Sequence, residues 1–299
     1  MRINPNITPD ILASITQTKQ QEETSLTQMS TGKRVNVPSD DPTAAAREVE
    51  NQTMSNTVDQ YTSNATTALS MVQTADSALS GVVTELTKAI TLGTEAATGT
   101  TNSQNLQAIL QQVQGITQTV AAAANTSFHG VYLFAGTKST TVPFTVNAAD
   151  PTGYTYNGNS NTNEVGVGEG LSVTMNVPGN QLFQGPTAGT SVLGSLQSLV
   201  TALQTGTSTD IGNATNNISS AIANLGQQRV IYGNTESQLT SQQTALQQES
   251  TNLATEENSL IGVDMASVTL QFAQAQLANQ AALAAAARVL PQSLLDYLK

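Results

Sequence analysis

The chain has 299 residues, no cysteine, no tryptophan, one histidine and a formal net charge of −11. The negative charge disfavours binding to nucleic-acid phosphates, and the lack of cysteine excludes disulfides, thiolate nucleophiles and thiolate metal ligands. Aromatic residues make up only 4% of the chain and charged residues only 10%, well below the usual share of about a quarter. This composition favours long helices packed through small and aliphatic side chains over a thick globular core.

The amino-terminal segment predicts a helix with one apolar face. Isoleucine recurs there at every fourth residue, which places these side chains on one side of a helix: Ile3, Ile7, Ile11 and Ile15. The segment has no continuous apolar core and no cleavage signature, so we do not expect a cleaved signal peptide. No stretch of the sequence is apolar for the length of a membrane span, so a membrane partner is not expected either.

The block TGKRVNVPSDDP, residues 31–42, predicts a capped turn between two helices. Gly32 is a good helix stop, and Asp41 before Pro42 predicts an N-cap followed by proline at the first helical position. The charged side chains of an exposed turn could also form ion pairs between subunits, and three are candidates: Lys33, Arg34 and Asp40. Spacing alone favours the capped turn and leaves the ion pairs as a hypothesis.

Heptad repeats predict long coiled-coil helices in both halves of the chain. In the first half the seam is Met54, Val58, Tyr61, Ala65, Ala68, Val72, Ala75, Leu79, Val82, Leu86 and Ala89. After a turn predicted over residues 93–103, a shorter helix continues it at Leu106, Ile109, Val113, Ile116 and Val120. In the second half every seventh residue is apolar: Ile211, Ile218, Leu225, Tyr232, Leu239, Leu246, Leu253 and Leu260. A strict seven-residue period implies a left-handed supercoil.

Between the two halves, residues 127–190 predict a small antiparallel β domain. The segment is rich in Gly, Asn, Thr, Val and Pro, and FTVN, YTYNGN and LSVTMNV alternate apolar and polar residues. Turns are predicted at Gly153, Asn157-Gly158 and Pro178-Gly179. The glycine-alternating run at residues 166–170 is interpreted as a β-turn, and a short helix over about residues 192–204 leads back to the helical part.

The carboxyl-terminal segment predicts another helix with an apolar seam: Met265, Val268, Phe272, Ala275, Ala282 and Val289. Neither this face nor the isoleucine face has a partner within its own arm, and the chain order brings the two ends together. We therefore expect the ends to pair and to form the assembly interface. The residues expected in it are Ile7, Ile11, Ile15, Lys33, Arg34, Asp40, Asp41, Phe272, Leu283 and Leu294.

The chain as a whole is predicted to be mainly α with a β insertion, a long antiparallel helical rod from both chain ends. Five segments are expected: 1–44, an assembly helix and turn; 45–126, half of the rod; 127–190, the outer β domain; 191–262, the other half; and 263–299, the second assembly helix. Terminal helices with weak seams are marginal alone, so their folding should be coupled to assembly.

No catalytic or metal-binding constellation emerges from the sequence. His129 has no nucleophile elbow or cysteine to pair with, so it is expected to be a turn residue at the edge of the β domain. Glu22-Glu23 and Glu256-Glu257 are acidic pairs, but adjacent residues of a helix point in different directions. We therefore predict no enzymatic activity, no metal and no cofactor.

Several blocks resemble a known family. The turn at residues 31–42 resembles the one that flagellins and their junction proteins carry after the first helix. The stretch GVYLFAGTKSTTVPF, residues 130–144, resembles the hook–filament junction proteins (hook-associated protein 3), and ALAAAARVLPQSLLDYL is similar to the family's carboxyl-terminal helix. With the initial MRIN, the resemblance spans the full chain. It implies a structural subunit that joins the flagellar hook to the filament and is required for swimming.

The resemblance also implies a location and partners. These are secretion by the flagellar export apparatus, a cytoplasmic export chaperone, a ring of copies of the chain, the first hook-associated protein on one side and flagellin on the other. Two alternatives stay open. A flagellin would occur in many copies along each filament, whereas a junction protein would occur in a few. A secreted adhesin would bind a host ligand through its isolated β domain.

Overall fold

The computed structural model describes residues 7–98, 102–184 and 191–296, without the side chains of residues 7, 8 and 288–296. Ile3 of the predicted isoleucine face lies outside the described residues. The chain divides into two compact units, which are described separately below. The terminal unit consists of the residues up to 57 and from 248 onwards, and the central unit consists of residues 58–247. The prediction of a mainly α fold with a β insertion is confirmed.

The helices are long at both ends of the chain and short near the insertion. They are α1 (Ile7–Thr31), α2 (Pro42–Ala97), α3 (Ser103–Ala124), α4 (Val192–Thr205), α5 (Ser208–Ile261) and α6 (Met265–Asp296). The strands of the insertion are β1 (Ser127–Phe128), β2 (Val131–Tyr132), β3 (Phe144–Val146), β4 (Tyr154–Tyr156), β5 (Glu164–Gly168) and β6 (Leu171–Thr174). Consecutive strands pair as antiparallel hairpins, and a π-helical turn follows at Asn180–Gln184.

In the central unit, α2 and α5 run antiparallel. Gln243 of α5 donates a hydrogen bond to Thr66 of α2 at 3.0 Å, and Arg229 bonds both oxygens of Asp76 at 2.8 and 2.9 Å. Residue numbers therefore fall along α5 as they rise along α2. The predicted heptad residues form the seam, and from Ala65 to Ala89 on α2 and from Ile211 to Leu246 on α5 they are buried. Periodicity alone thus identified the buried faces in this unit.

Three sequence predictions about these helices and glycines were wrong. Met54 is half exposed, because the seam of α2 in the terminal unit runs through Asn51, a buried polar residue. The turn predicted from residue 93 does not begin there, since α2 continues through Gly93 to Ala97. The run at residues 166–170 is mostly strand β5, and within it only Gly170 has the positive φ of a turn residue.

An aromatic cluster forms the core of the β insertion. The rings of Phe134 and Phe144 each lie 5.4 Å from the ring of Phe183, in edge-to-face geometry. The Tyr156 ring lies 5.1 Å from Phe144, and its hydroxyl donates to backbone carbonyls, that of Phe134 among them at 2.9 Å. The side-chain amide of Asn125 donates to the Phe144 carbonyl and accepts the Phe144 N–H, each at 2.8 Å. These two hydrogen bonds satisfy the backbone groups of Phe144 at one edge of β3.

One buried tyrosine joins the insertion to α5. The hydroxyl of Tyr232 accepts the backbone N–H of Val177 at 3.1 Å, and its ring is almost fully buried. Burial raises the pKa of this hydroxyl far above its ordinary value. His129 lies, as predicted, in a turn, where it has a φ of 49° and stacks on Phe128 with a ring-centroid distance of 4.2 Å.

Gly93 is required where α2 approaches α4 and α5. A Cβ at this position would lie 2.4 Å from Thr215 Oγ1 and 3.4 Å from Leu199 Cδ1. Thr215 is buried and its hydroxyl is held by the Ile211 carbonyl at 2.8 Å, so it cannot simply rotate away. Glycine is therefore the residue that allows this contact.

We predict that Gly93→Ala destabilises the central unit by about 1–3 kcal/mol, because the added methyl overpacks the contact. Gly81 of the same helix is the matched control, since a Cβ placed there would meet no neighbouring residue within 4 Å. Gly81→Ala should stabilise the protein by up to about 1 kcal/mol through helix propensity. Urea unfolding followed by circular dichroism measures both changes, and equal effects of the two substitutions would contradict the packing argument.

Candidate assembly interface

The two terminal helices pack against each other within the terminal unit. Ile11, near the start of α1, lines a shallow groove with Ala282 and Ala285 of α6. Farther along α1, Glu22 accepts a hydrogen bond from the amide of Asn279 at 3.0 Å. The pairing is therefore antiparallel, and it occurs inside one chain. Whether the same pairing forms the joint in the assembled state stays a prediction.

The seam between α1 and α6 follows a heptad pattern but is poor in large apolar side chains. On α6 its members are Val268, Phe272, Ala275, Asn279, Ala282 and Ala286. On α1 they are Ile11, Ile15, Thr18, Glu22, Ser25 and Met29. Polar residues thus occupy the middle of the α1 stripe, where the Thr18 hydroxyl, among the described residues, bonds only its own helix backbone. The pair therefore buries little apolar surface for its length.

Both terminal helices also carry apolar residues that point away from this seam. On α6, Leu270 is 60% exposed, Leu277 is 69% exposed and Leu283 is 53% exposed. Leu12 and Leu26 of α1 are more than half exposed as well. Leu270 and Leu277 are seven residues apart and so lie on the same face of α6. Exposed leucines in a row indicate a surface that another apolar surface could cover.

The predicted assembly residues on α1 and α6 differ from one another in how far they are buried. Ile11, Ile15 and Phe272 are half-buried in the α1–α6 seam, whereas Leu283 lies on the exposed side. Met265, predicted in the seam, is also largely exposed. The backbones of Ile7 and Leu294 belong to α1 and α6, but their side chains are outside the described part. Their participation in assembly remains a prediction.

The turn between α1 and α2 is built as the sequence predicts. Gly32 ends α1 with a φ of 68°, and Asp41 caps α2 by accepting the N–H of Ala44 at 3.0 Å. That hydrogen bond is the main reason why the pKa of the Asp41 carboxyl is lowered. Asp40 has a local role, because its Oδ2 accepts the N–H groups of Asn36 and Val37. The turn is thus ordered by its own side chains.

The same turn is tied to the link between α5 and α6. The N–H of Arg34 donates to the Ile261 carbonyl at 2.6 Å, and its guanidinium bonds the Leu260 carbonyl at 2.9 Å and Asp41 at 3.3 Å. Beneath these contacts Val35, Ala44 and Ile261 form a small buried core, with Ala45 and Leu260 packed against it. Arg34 therefore bonds within the chain, and the hypothesis of ion pairs between subunits stays untested.

Lys33 lies between two carboxylates from different helices. Its Nζ is 3.1 Å from Oε1 of Glu257 on α5 and 3.8 Å from Oε1 of Glu48 on α2. The second oxygen of Glu48 is buried and has no hydrogen-bond partner among the described residues. Burial raises the pKa of Glu48, the Glu257 carboxylate raises it further, and Lys33 offsets only part of this.

Sequence reasoning missed Glu48 and treated Glu257 only as half of an acidic pair. Lys33 and Glu257 are 224 residues apart in the sequence, so no local spacing signals their contact. Among the described residues, no cluster of three or more potential metal-binding side chains occurs. No helix of the described part carries an apolar stretch long enough to cross a membrane.

Family comparison matches both ends of the chain. The model of the bacterial flagellin N-terminal helical region matches residues 3–139, and the model of the bacterial flagellin C-terminal helical region matches residues 215–298. Flagellar hook-associated protein 3 of Escherichia coli strain K12 is 30% identical over 190 residues, which are 60% of this chain and 58% of that protein. The match thus spans less than two thirds of that relative.

Solved structures show the same fold. A flagellar hook-associated protein from Vibrio parahaemolyticus superposes with a TM-score of 0.68 at 19% identity, covering 75% of this chain and all of that one. FlgL of Bacillus cereus gives a TM-score of 0.59 at 22% identity, covering 70% of this chain and 99% of that one. At these identities the likeness establishes the fold.

The cluster of Lys33, Glu48 and Glu257, here called the Lys33 cluster, should make the stability of the protein depend on pH. The folded-state pKa of Glu48 is raised, so its ionised form costs stability at neutral pH and this cost disappears as the pH falls through that pKa. Glu48→Gln should therefore raise the melting temperature by about 1–3 °C near pH 7.5. The gain should vanish near pH 4, where Glu48 of the unchanged protein is protonated too.

The matched control is Glu256→Gln, which removes one charge from the exposed neighbour of Glu257. It should change the melting temperature little at either pH. A destabilised Glu48→Gln variant at neutral pH, or an equal gain at both pH values, would show that the ionised Glu48 is not a cost in the folded protein.

Proposed function

Because the chain belongs to the flagellin family, we propose that it is a non-enzymatic structural subunit joining the flagellar hook to the filament. The observation that carries the proposal is the 30% identity to a protein named flagellar hook-associated protein 3. A second relative with that name, from Salmonella typhimurium, is 37% identical over 118 residues. The geometry supports an assembling subunit, since paired terminal helices leave a row of leucines uncovered.

The exposed leucines supply a physical basis for assembly. A helical array repeats one heterologous contact, in which a patch of each subunit covers a different patch of its neighbour. Covering an exposed leucine such as Leu277 contributes about 1.5–3 kcal/mol, more than a surface ion pair does. The α1–α6 seam orients this row, and the neighbouring subunit supplies the apolar burial that the seam lacks.

In this role the chain has partners on both sides and a defined export route. The chain forms a ring of copies that contacts the first hook-associated protein on the hook side and flagellin on the filament side. It is held by a cytoplasmic export chaperone and leaves the cell through the flagellar export apparatus without a cleaved signal peptide. The long helical segments carry the outer β domain. The segments are bounded as predicted from the sequence: 1–44, 45–126, 127–190, 191–262 and 263–299.

Immunogold labelling of intact flagella tests the location. A band of gold at the boundary between hook and filament is the expected result. Label along the whole filament would instead indicate flagellin, and label absent from the flagellum would contradict both.

We predict that Leu270→Asp combined with Leu277→Asp abolishes assembly and swimming but leaves the monomer folded. Both leucines are exposed in the monomer, so the carboxylates cost little there, whereas burial against a neighbour makes them unfavourable. The control is Thr269→Asp with Gln276→Asp, which adds the same charges at the same spacing on exposed positions about 100° around α6 from the leucines. Circular dichroism of the monomer and complementation of a deletion strain give the two readouts. Swimming by the leucine variant would remove these residues from the interface.

A separate prediction concerns the α1–α6 seam. Phe272→Ala or Ile11→Asp should weaken the pairing of the ends, leave the central unit folded and abolish incorporation at the hook tip.

The unsubstituted monomer should already show lower stability in the terminal helices than in the central unit, because polar residues interrupt the α1–α6 seam. Amide hydrogen exchange should be faster in α1 and α6 than in the buried stretches of α2 and α5 within the central unit. Equal protection of all four helices would contradict the proposed marginal stability.

A further inference from the structure

The β5–β6 hairpin of the central unit is irregular at one residue. Gly166 pairs with Ser172 and Gly168 pairs with Leu171, so Val167 is an extra residue that bulges out of the ladder. A side chain on an isolated two-stranded hairpin is normally half exposed, but Val167 is completely buried. Val167 at the bulge and Val173 on β6 are both buried and seat the hairpin in the body of the unit.

Two amide side chains bind the hairpin at this bulge, one from each long helix. Asn64 of α2 donates to the Gly166 carbonyl at 2.9 Å, and Gln242 of α5 donates to the Val167 carbonyl at 3.0 Å. Gln60, one turn before Asn64, donates to its side-chain oxygen at 2.9 Å and so orients the amide. Consecutive carbonyls of a regular strand point in opposite directions, so the bulge is what lets neighbouring helices bind both.

The two amides lie at the same level of the helix pair. Thr66 and Gln243, each within two residues of a binding amide, are themselves joined across the helices at 3.0 Å. A shift of α2 along α5 by a single residue is about 1.5 Å. Such a shift would stretch at least one of the two amide–carbonyl bonds beyond hydrogen-bond distance, because their acceptors are fixed next to each other on one strand.

Near Asn64, the α2 side of the seam specifies this register weakly. On the α2 side it is rich in alanine, with Ala65, Ala68 and Ala75 all buried, and small side chains make shallow knobs. The heptad repeat also offers similar apolar contacts after a shift of a helical turn or more. Arg229 and Asp76 add a bidentate pair elsewhere on the two helices, but both side chains are about one third exposed. Around Asn64, the Thr66–Gln243 bond is exposed to solvent, so register needs another source.

We propose that the β5–β6 hairpin is a clamp that fixes the axial register of α2 against α5. Asn64 and Gln242 are its two contact points, and the buried Val167 is the wedge at the bulge that both amides bind. The β insertion therefore stabilises one alignment of the helices in addition to presenting an outer surface. Release of the hairpin permits the helices to sample shifted alignments.

Engineered cysteine pairs test the clamp, since the chain has no cysteine of its own. Thr66→Cys with Gln243→Cys reports the observed register, and Thr66→Cys with Gln247→Cys reports a shift of one turn. Both pairs are placed in the full chain with Asn64→Ala and Gln242→Ala, or without these changes. We expect the clamp substitutions to raise the ratio of shifted to in-register disulfide formation on the order of tenfold, as two hydrogen bonds are lost.

The control is Gln73→Ala with Gln227→Ala, which removes one exposed amide from each helix at positions far along the helices from Asn64 and Gln242 and should leave the ratio unchanged. Hydrogen exchange of residues 164–174 checks that the hairpin is released. Faster exchange without a change in the ratio would overturn the proposal, and so would unchanged exchange. If the double variant fails to fold, Val167→Ser loosens the wedge and is judged by the same two outcomes.

Discussion

Where the seam of a helix pair is poor in large apolar side chains, polar contacts are needed to fix the alignment, and many contacts in this chain follow from that constraint. Apolar burial drives association but is similar for several alignments when the side chains are small. Hydrogen bonds require particular distances and angles, so they discriminate between alignments. In the terminal unit this role falls to Asn51, whose amide donates to the Leu253 carbonyl at 3.2 Å, and to the bond between Asn279 and Glu22. In the central unit it falls to Arg229 with Asp76 and to the hairpin amides.

The same shortage of apolar burial explains the character of the terminal unit. Its helix pair has polar residues in the seam and leucines on the outside, which is the reverse of the distribution expected for a helix pair that is stable alone. The turn at residues 32–41 compensates locally, because a helix cap, backbone pairing with the α5–α6 link and a small core hold it in place. Stability is therefore concentrated at the turn, while the helices beyond it depend on further contacts. Apolar burial against another surface is what this helix pair lacks.

The helical architecture could be predicted from the sequence because long heptad repeats are a strong signal. The buried faces of α3 and α5 and the cap at Asp41 were all predicted from spacing and residue type. The errors have physical reasons. A turn was predicted to begin at Gly93, but this glycine allows a close contact inside α2. Asn51 was overlooked because a search for apolar residues does not detect a polar residue at a seam position. The Lys33 cluster and the amides of Asn64 and Gln242 could not be predicted, because each contact joins residues far apart in the chain.

Two kinds of packing stabilise the central unit: an aromatic core in the β insertion and aliphatic seams between the helices. Phe134, Phe144, Phe183 and Tyr156 form a compact core inside the insertion, where large rings provide enough burial for short strands that could not be stable as isolated hairpins. The helices of the central unit pack instead mainly through aliphatic side chains, such as Leu79, Leu86 and Leu225. Tyr232 lies where the two kinds of packing meet, since its ring fills the α5 seam and its hydroxyl binds the insertion at Val177. An insertion with its own core can hold a hairpin rigid, and a rigid hairpin is what allows two amide bonds to resist movement along the helices.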